Sequence, residues 1–265
     1  MATSSLLLLL ADGRFPAGAH AHSGGLEAAV AAGRVADLAS LEAFLVGRLA
    51  TAGLVGAAFA AAAHRAVTPS AAEPAEGTTR PVGLGHPAGR GTSPTDPAGR
   101  GTTSTGAAVR GSMLARLDAE LDARTASPAL RAVSRRQGRA LLRAGRAIWP
   151  GASFDDLPAT PGGAHQPLVL GLLCAAAGLS RAETAMVAAH GTVTGAASAG
   201  VRLLGLDPYQ VQAVLVGLVD LCDDTAAEAA RAADDPPERL PAAAAPLADI
   251  HAEAHATWEV RLFAS

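Results

Sequence analysis

Histidines come first among the residues able to do chemistry, because two spacings resemble metal sites: His20 with His22 in a Gly- and Pro-rich loop, and His251 with His255 one helical turn apart. An i, i+4 pair can share an ion. The acid between them is Glu253, however, so the pattern is H-x-E-x-H where zinc peptidases carry H-E-x-x-H, and the carboxylate falls on another face. No resident metal and no cofactor are expected. No Ser-His-Asp arrangement has a nucleophile-elbow context, because no G-x-S-x-G occurs, although triads are defined by geometry and not by sequence order. Cys174 and Cys222 lie far apart without a C-x-x-C, which fits reduced, buried thiols of a cytoplasmic protein. The chain has no lysine, which excludes Schiff-base catalysis and a P-loop. The expectation is a protein with no catalytic residues, and any GTP hydrolysis belongs to a partner.

Two surfaces remain as candidates for binding. Arg131, Arg135, Arg139 and Arg143 recur at i, i+4 steps with Arg136 and Arg146 beside them, while Leu130, Val133, Leu141 and Ile148 fall on or near the opposite side. A solvated face accounts for such a stripe, but six arginines on one helix of a chain with net charge −3 also suit an acidic partner. Arg135, Arg139 and Arg143 are therefore candidate partner-binding residues. Gly191, Gly195 and Gly200, with Ala199, let another helix approach closely, either inside the fold or on a second copy, and so are candidates for a dimer face.

The elements that must carry these residues are helices. Only 3% of the 265 residues are aromatic, Ala, Leu, Gly and Val dominate, and alternating β-branched runs are missing. The pattern predicts an all-α, single-domain bundle of roughly eight or nine helices. The run Leu6 to Leu10 is too short for a signal peptide, and no later segment is expected to span a bilayer. Leu26 to Val35 reads as a short helix and Leu38 to about Arg65 as one long helix. Ser127 before Pro128, Ser180 with Glu183, and Asp207 before Pro208 are N-terminal signals for helices ending near Ile148, Leu204 and Ala233. Further helices are expected near Gln166 to Ala177 and from Leu247. Between them Thr68 to Arg110 turns to Pro, Gly, Thr and Ser and repeats PAGRGT at Pro87 to Thr92 and Pro97 to Thr102. This stretch is predicted to be a disordered insertion at 68–110 that divides one helical domain into 1–67 and 111–265. Net charge −3 without an aromatic ladder gives no basis for binding nucleic acid.

Both chain ends carry a pattern. Pro16-x-Gly18 followed by Ser23-x-Gly25-Leu26-Glu27 resembles the signature of the urease accessory protein F family, and the closing HATWEVRLFAS, with His255, Arg261, Leu262, Phe263 and Ser265, resembles that family's C-terminal ending. The Gln137-Gly138-Arg139 helix and the segment from Thr194 to Leu204 resemble further family segments. His20, Ala21 and His22 depart from the aromatic and hydroxyl residues many members carry there, and the insertion is atypical. The resemblance implies an all-α cytoplasmic protein, usually a homodimer, that binds a second accessory protein of the D or H type and recruits the G-type GTPase. Together they deliver nickel to apo-urease, a maturation role in which nickel is in transit. On this resemblance Pro16, Gly18, Ser23, Gly25, Glu27, His255, Arg261, Leu262, Phe263 and Ser265 are partner-binding residues, an exposed Phe and Leu beside an Arg being an anchor composition. Two other readings compete: a helical enzyme with its pocket at the His-rich N-terminal loop, and a generic helical interaction module.

Overall fold

The computed structural model describes residues 5–13, 15, 21–68 and 100–263, with side chains from 106 onward in the last stretch. Every regular element among them is helical, as the composition predicts. In chain order the α-helices are α1 (Ser5–Ala11), α2 (Leu26–Ala31), α3 (Leu38–Arg48), α4 (Leu54–Val67), α5 (Arg100–Arg124), α6 (Pro128–Ile148), α7 (Gln166–Ala176), α8 (Arg181–Leu204), α9 (Pro208–Gly217), α10 (Val219–Ala232) and α11 (Pro246–Ala256).

Local chemistry sets the helix starts. The Ser127 hydroxyl accepts the Leu130 N–H at 3.1 Å and the Asp207 carboxylate accepts that of Tyr209 at 2.9 Å, each with a proline opening the helix. Ser180 and Glu183 close a reciprocal box: Glu183 N–H donates to Ser180 Oγ at 3.2 Å and Ser180 N–H to Glu183 Oε2 at 2.7 Å. These contacts satisfy amides that a first turn leaves without helical partners.

Several extents differ from the sequence reading. A π-helical stretch, Leu49–Gly53, links α3 to α4 where one uniform helix is predicted. The helix expected from Pro208 to Ala233 breaks at Leu218, whose φ of −96° and ψ of 3° end α9 beside Gly217, a weak helix former. The first short helix stops at Ala31, not Val35. Finally, α5 begins at Arg100, so the second PAGRGT copy and the stretch expected at 68–110 both end within a helix; residues 69–99 lie outside the described residues.

The core is organised around α4, against which α5, α7, α8 and α10 pack. Ala57, Ala58, Phe59, Ala60, Ala61 and Ala63 are wholly buried, and the small side chains of the five alanines let neighbouring backbones approach. One such approach is at Gly171 of α7, where a Cβ would lie 2.3 Å from the Ala60 carbonyl oxygen and 2.8 Å from the His64 nitrogen. The 30-residue helical stretch Leu38–Val67 is long and apolar enough to cross a bilayer by length and composition, but its apolar surface meets α7, α8 and α10 as a core helix does. Burying Leu41, Leu45, Leu49 and Phe59 completely contributes about 1.5–3 kcal/mol each before ordering entropy is counted. This axis seats α2 and α3 on α8, and α11 on α2 and α6, which brings the two ends of the chain together.

Candidate functional site

The junction of the ends is built around Glu27. Ser23 is fully buried and its hydroxyl accepts the Glu27 N–H at 3.2 Å, which fixes the first turn of α2. Arg48 of α3 packs against Gly24 and donates to its carbonyl, while its buried Nε has no partner and burial pushes the guanidinium down to about 10. Glu27 is only 7% exposed. Its Oε1 accepts the Leu262 N–H at 2.8 Å, and its Oε2 accepts the Phe263 N–H at 3.0 Å and His255 Nε2–H at 2.9 Å. Burial disfavours the charge on Glu27, but the Leu262 amide, the His255 imidazole and the Phe263 amide outweigh it, so the carboxyl titrates below the ordinary glutamate range. The His255 ring lies 4.7 Å from that of Trp258, tilted by 57°.

The tail therefore presents its side chains in two directions. Phe263 turns inward, 4% exposed, with the Arg202 guanidinium of α8 4.6 Å from its ring centroid. Val260 and Leu262 turn outward, 83% and 67% exposed, and Arg261 is exposed between them. The expectation of an exposed Phe is corrected: Phe263 anchors the tail, and Leu262 with Arg261 remains available. Beside them runs a groove of about 260 Å³ walled by Gly25, Ala28, Ala132, Ala252 and Ala256, with Leu130, Val133, His255, Arg136 and Arg261 also lining it. Its helices are tied together at Glu253 of α11, which accepts the Ala129 N–H at 2.8 Å and the Ser127 hydroxyl, adding a negative charge at the N-terminus of α6.

On α6 the basic stripe divides. Arg135 is buried, not exposed: its Nη2 donates to Asp118 Oδ2 at 2.9 Å and Asp122 Oδ2 at 2.7 Å, and its Nη1 to Thr160 Oγ1 at 2.9 Å and the Gly163 carbonyl at 2.5 Å. Two carboxylates raise its pKa despite burial. The reason for the inward turn is α5, whose Asp118 and Asp122 face α6 one helical turn apart. Arg135 thus leaves the candidate docking surface, while Arg136, Arg139 and Arg143 stay on it, Arg139 also donating to the Gly162 carbonyl.

The same network holds a catalytic-looking arrangement. Ser134 Oγ lies 3.0 Å from His165 Nδ1, and His165 Nε2 2.9 Å from Asp122 Oδ1. Asp122 only accepts, so Nε2 carries the proton and Nδ1 receives the Ser134 hydroxyl. His165 is wholly buried, and Ser134 Oγ also takes the Gln166 N–H at 3.3 Å, so the relay ties α5, α6 and α7 together and lines none of the groove. Burial and the Arg135 guanidinium nearby hold the imidazole below its ordinary pKa and neutral. Asp118, Asp122 and His165 also offer three ligand atoms within 4.8 Å of one another. Arg135 bridges the two carboxylates and supplies the positive charge a metal ion would bring.

The remaining sequence candidates separate in the same way. Gly200 is an internal contact, where a Cβ would meet Leu41 at 3.0 Å, whereas Gly191 and Gly195 face open space. His255 gives its Nε2–H to the buried Glu27, whereas His251, one turn earlier, is half-buried. Pro16, Gly18, His20 and Ser265 lie outside the described residues. Cys174 and Cys222 are buried and unpaired with each other, and burial pushes their thiols up to about 12 and about 11. Sequence reading missed Asp118, Asp122, Ser134, His165, Arg202 and Glu253. The i, i+4 acid pair at Asp118 and Asp122 was the available signal for a buried arginine partner.

Comparison with known proteins places these features. The UreF family model matches residues 35–219. The chain is 40% identical over 265 residues to the urease accessory protein UreF of Mycolicibacterium vanbaalenii, covering 100% of each chain. It is 39% identical over 265 residues to that of Mycobacterium sp. (strain JLS), again 100% of each. With that of Mycobacterium tuberculosis (strain H37Rv) it shares 38% over 229 residues, 86% of each chain.

Proposed function

The chain belongs to the UreF family of urease accessory proteins, and on that premise we propose that it is a non-enzymatic scaffold of urease maturation. It binds the D/H-type accessory protein, recruits with it the G-type GTPase, and so serves nickel delivery to apo-urease. The observation that carries this reading is the junction of the two ends, where Arg261 and Leu262 stand exposed beside a groove walled by small side chains. An aliphatic side chain and a cation at a small-walled groove suit a protein surface that offers one bulky anchor and a carboxylate. Arg136, Arg139 and Arg143 extend the basic surface along α6 towards acidic patches on the same partners.

In this scaffold nickel is cargo passed between partners, and the chain needs no resident cofactor. The open face at Gly191 and Gly195 is where a second copy packs to give a homodimer. The protein works in the cytoplasm, free of membrane and nucleic acid. A pull-down tests the proposal, comparing the full chain with one ending at Glu259 against the purified D-type and G-type proteins. The full chain retains both, and the shortened chain, still helical by circular dichroism, loses the D-type protein. Equal retention by the two chains rejects the tail as the docking element.

A further inference from the structure

We propose that Glu27 is a positioning residue for docking: its carboxylate, beyond a partner's reach, presents Arg261 and Leu262 by gripping the tail backbone. The inference rests on the reading of that tail as a docking surface. Glu27 accepts three hydrogen bonds, from Leu262 N–H and Phe263 N–H of the tail and from His255 Nε2–H at the end of α11, each within 3.0 Å of one of its oxygens. Two consecutive amides aimed at one carboxylate impose a bend at Leu262 and Phe263. Successive side chains then part, Phe263 going under Arg202 and Leu262 going to solvent. The grip also sets one wall of the groove, because the His255 ring held by Glu27 lines it.

A carboxylate is required by hydrogen-bond type. Its two oxygens accept only, whereas glutamine in the same shape would turn one amide NH2 towards a donor. Ser23 prepares the grip from the other side by fixing the Glu27 backbone. Arg261, Leu262 and the groove are accessible and contact-bearing; Glu27, at 7% exposure, acts through them.

The test is a cycle of full-length proteins: wild type, Glu27→Gln, the pair Arg261→Ala with Leu262→Ala, and all three changes together. Affinity for the purified D-type accessory protein is measured for each. Trimming Arg261 and Leu262 is expected to weaken binding roughly 30-fold, and Glu27→Gln alone roughly 10-fold. Added to the trimmed tail, Glu27→Gln costs less than about 3-fold, because of what it positions only the His255 wall of the groove is left. A second readout is the emission anisotropy of Trp258 in a Trp149→Phe background, which falls when the grip is lost. If Glu27→Gln compromises folding, Glu27→Asp keeps the charge on a shorter arm and is expected to bind with intermediate affinity. Equal losses from Glu27→Gln in the intact and trimmed tails overturn the inference, as does unchanged Trp258 anisotropy. A trimmed tail that binds as wild type does sinks the docking reading itself, and with it the purpose assigned to Glu27.

Discussion

Replacing Arg135 by alanine separates the two faces of α6 in one experiment. The substitution removes donors to Asp118, Asp122, Thr160 and the Gly163 carbonyl at once. Asp118, whose side chain is 3% exposed, keeps only the His165 N–H at 3.1 Å, while Asp122 is 41% exposed and regains water. Breaking a buried ion pair from one side costs about 3–5 kcal/mol. Because solvent screens the Asp122 half, the lower end applies, about 3 kcal/mol, or a fall in Tm of roughly 6–12 °C for a chain of this size. Arg143→Ala, on the exposed part of the same helix, should stay within about 0.5 kcal/mol of wild type. Arg135→Lys should fall between, since one ammonium cannot serve four acceptors that a planar fork reaches together. Urea unfolding followed by far-ultraviolet circular dichroism reads all three, with the slope unchanged and only the midpoint moving. An Arg135→Ala midpoint equal to that of Arg143→Ala would refute the reasoning and return Arg135 to the surface stripe.

Other outcomes follow from the core and its titrating groups. Gly171→Ala should cost at least about 1–3 kcal/mol by overpacking α4 against α7, read as a lowered urea midpoint; wild-type stability would mean the two backbones are further apart. Acid should destabilise the fold in two stages. Burial keeps His64 and His165 neutral in the native chain, with the Arg135 guanidinium adding to the effect at His165, so the unfolded chain binds more protons as pH falls below about 6.5 and stability drops. Glu27 and Asp122 titrate below the ordinary carboxylate range, and their contribution, present above that range, is lost as pH falls through the lowered values. A urea midpoint constant from pH 8 to pH 5 contradicts the first stage. Cys174 and Cys222 should be silent to a thiol reagent until the protein unfolds, and rapid labelling of the native chain would contradict their burial.

What the sequence revealed is what acts over a few residues. The caps at Ser127, Ser180 and Asp207 bond to amides two or three positions ahead, so spacing alone finds them. Arg135 shows the limit. An i, i+4 step overshoots a helical turn by about 40°, so Arg143 sits about 80° around the helix from Arg135, enough for one end of a stripe to be buried and the other exposed. Which end turns inward depends on Asp118 and Asp122 of another helix. The junction at Glu27 is further from view, joining residues separated by 228 to 236 positions, and only a likeness at both ends hinted that they act together. Phe263 was expected outside because composition does not reveal Arg202 waiting above its ring. The π-helical stretch at Leu49–Gly53 and the break at Leu218 stayed hidden because apolar periodicity runs through both.

The most direct test of the account is urease activity in a strain lacking this gene, complemented with either the full chain or one ending at Glu259, at ordinary and at excess nickel. The account predicts that the full chain restores activity, and that the shortened chain accumulates in folded form yet restores little at either nickel level. Full activity without the gene, or equal rescue by the shortened chain, would contradict the claim that this protein matures urease through its joined ends.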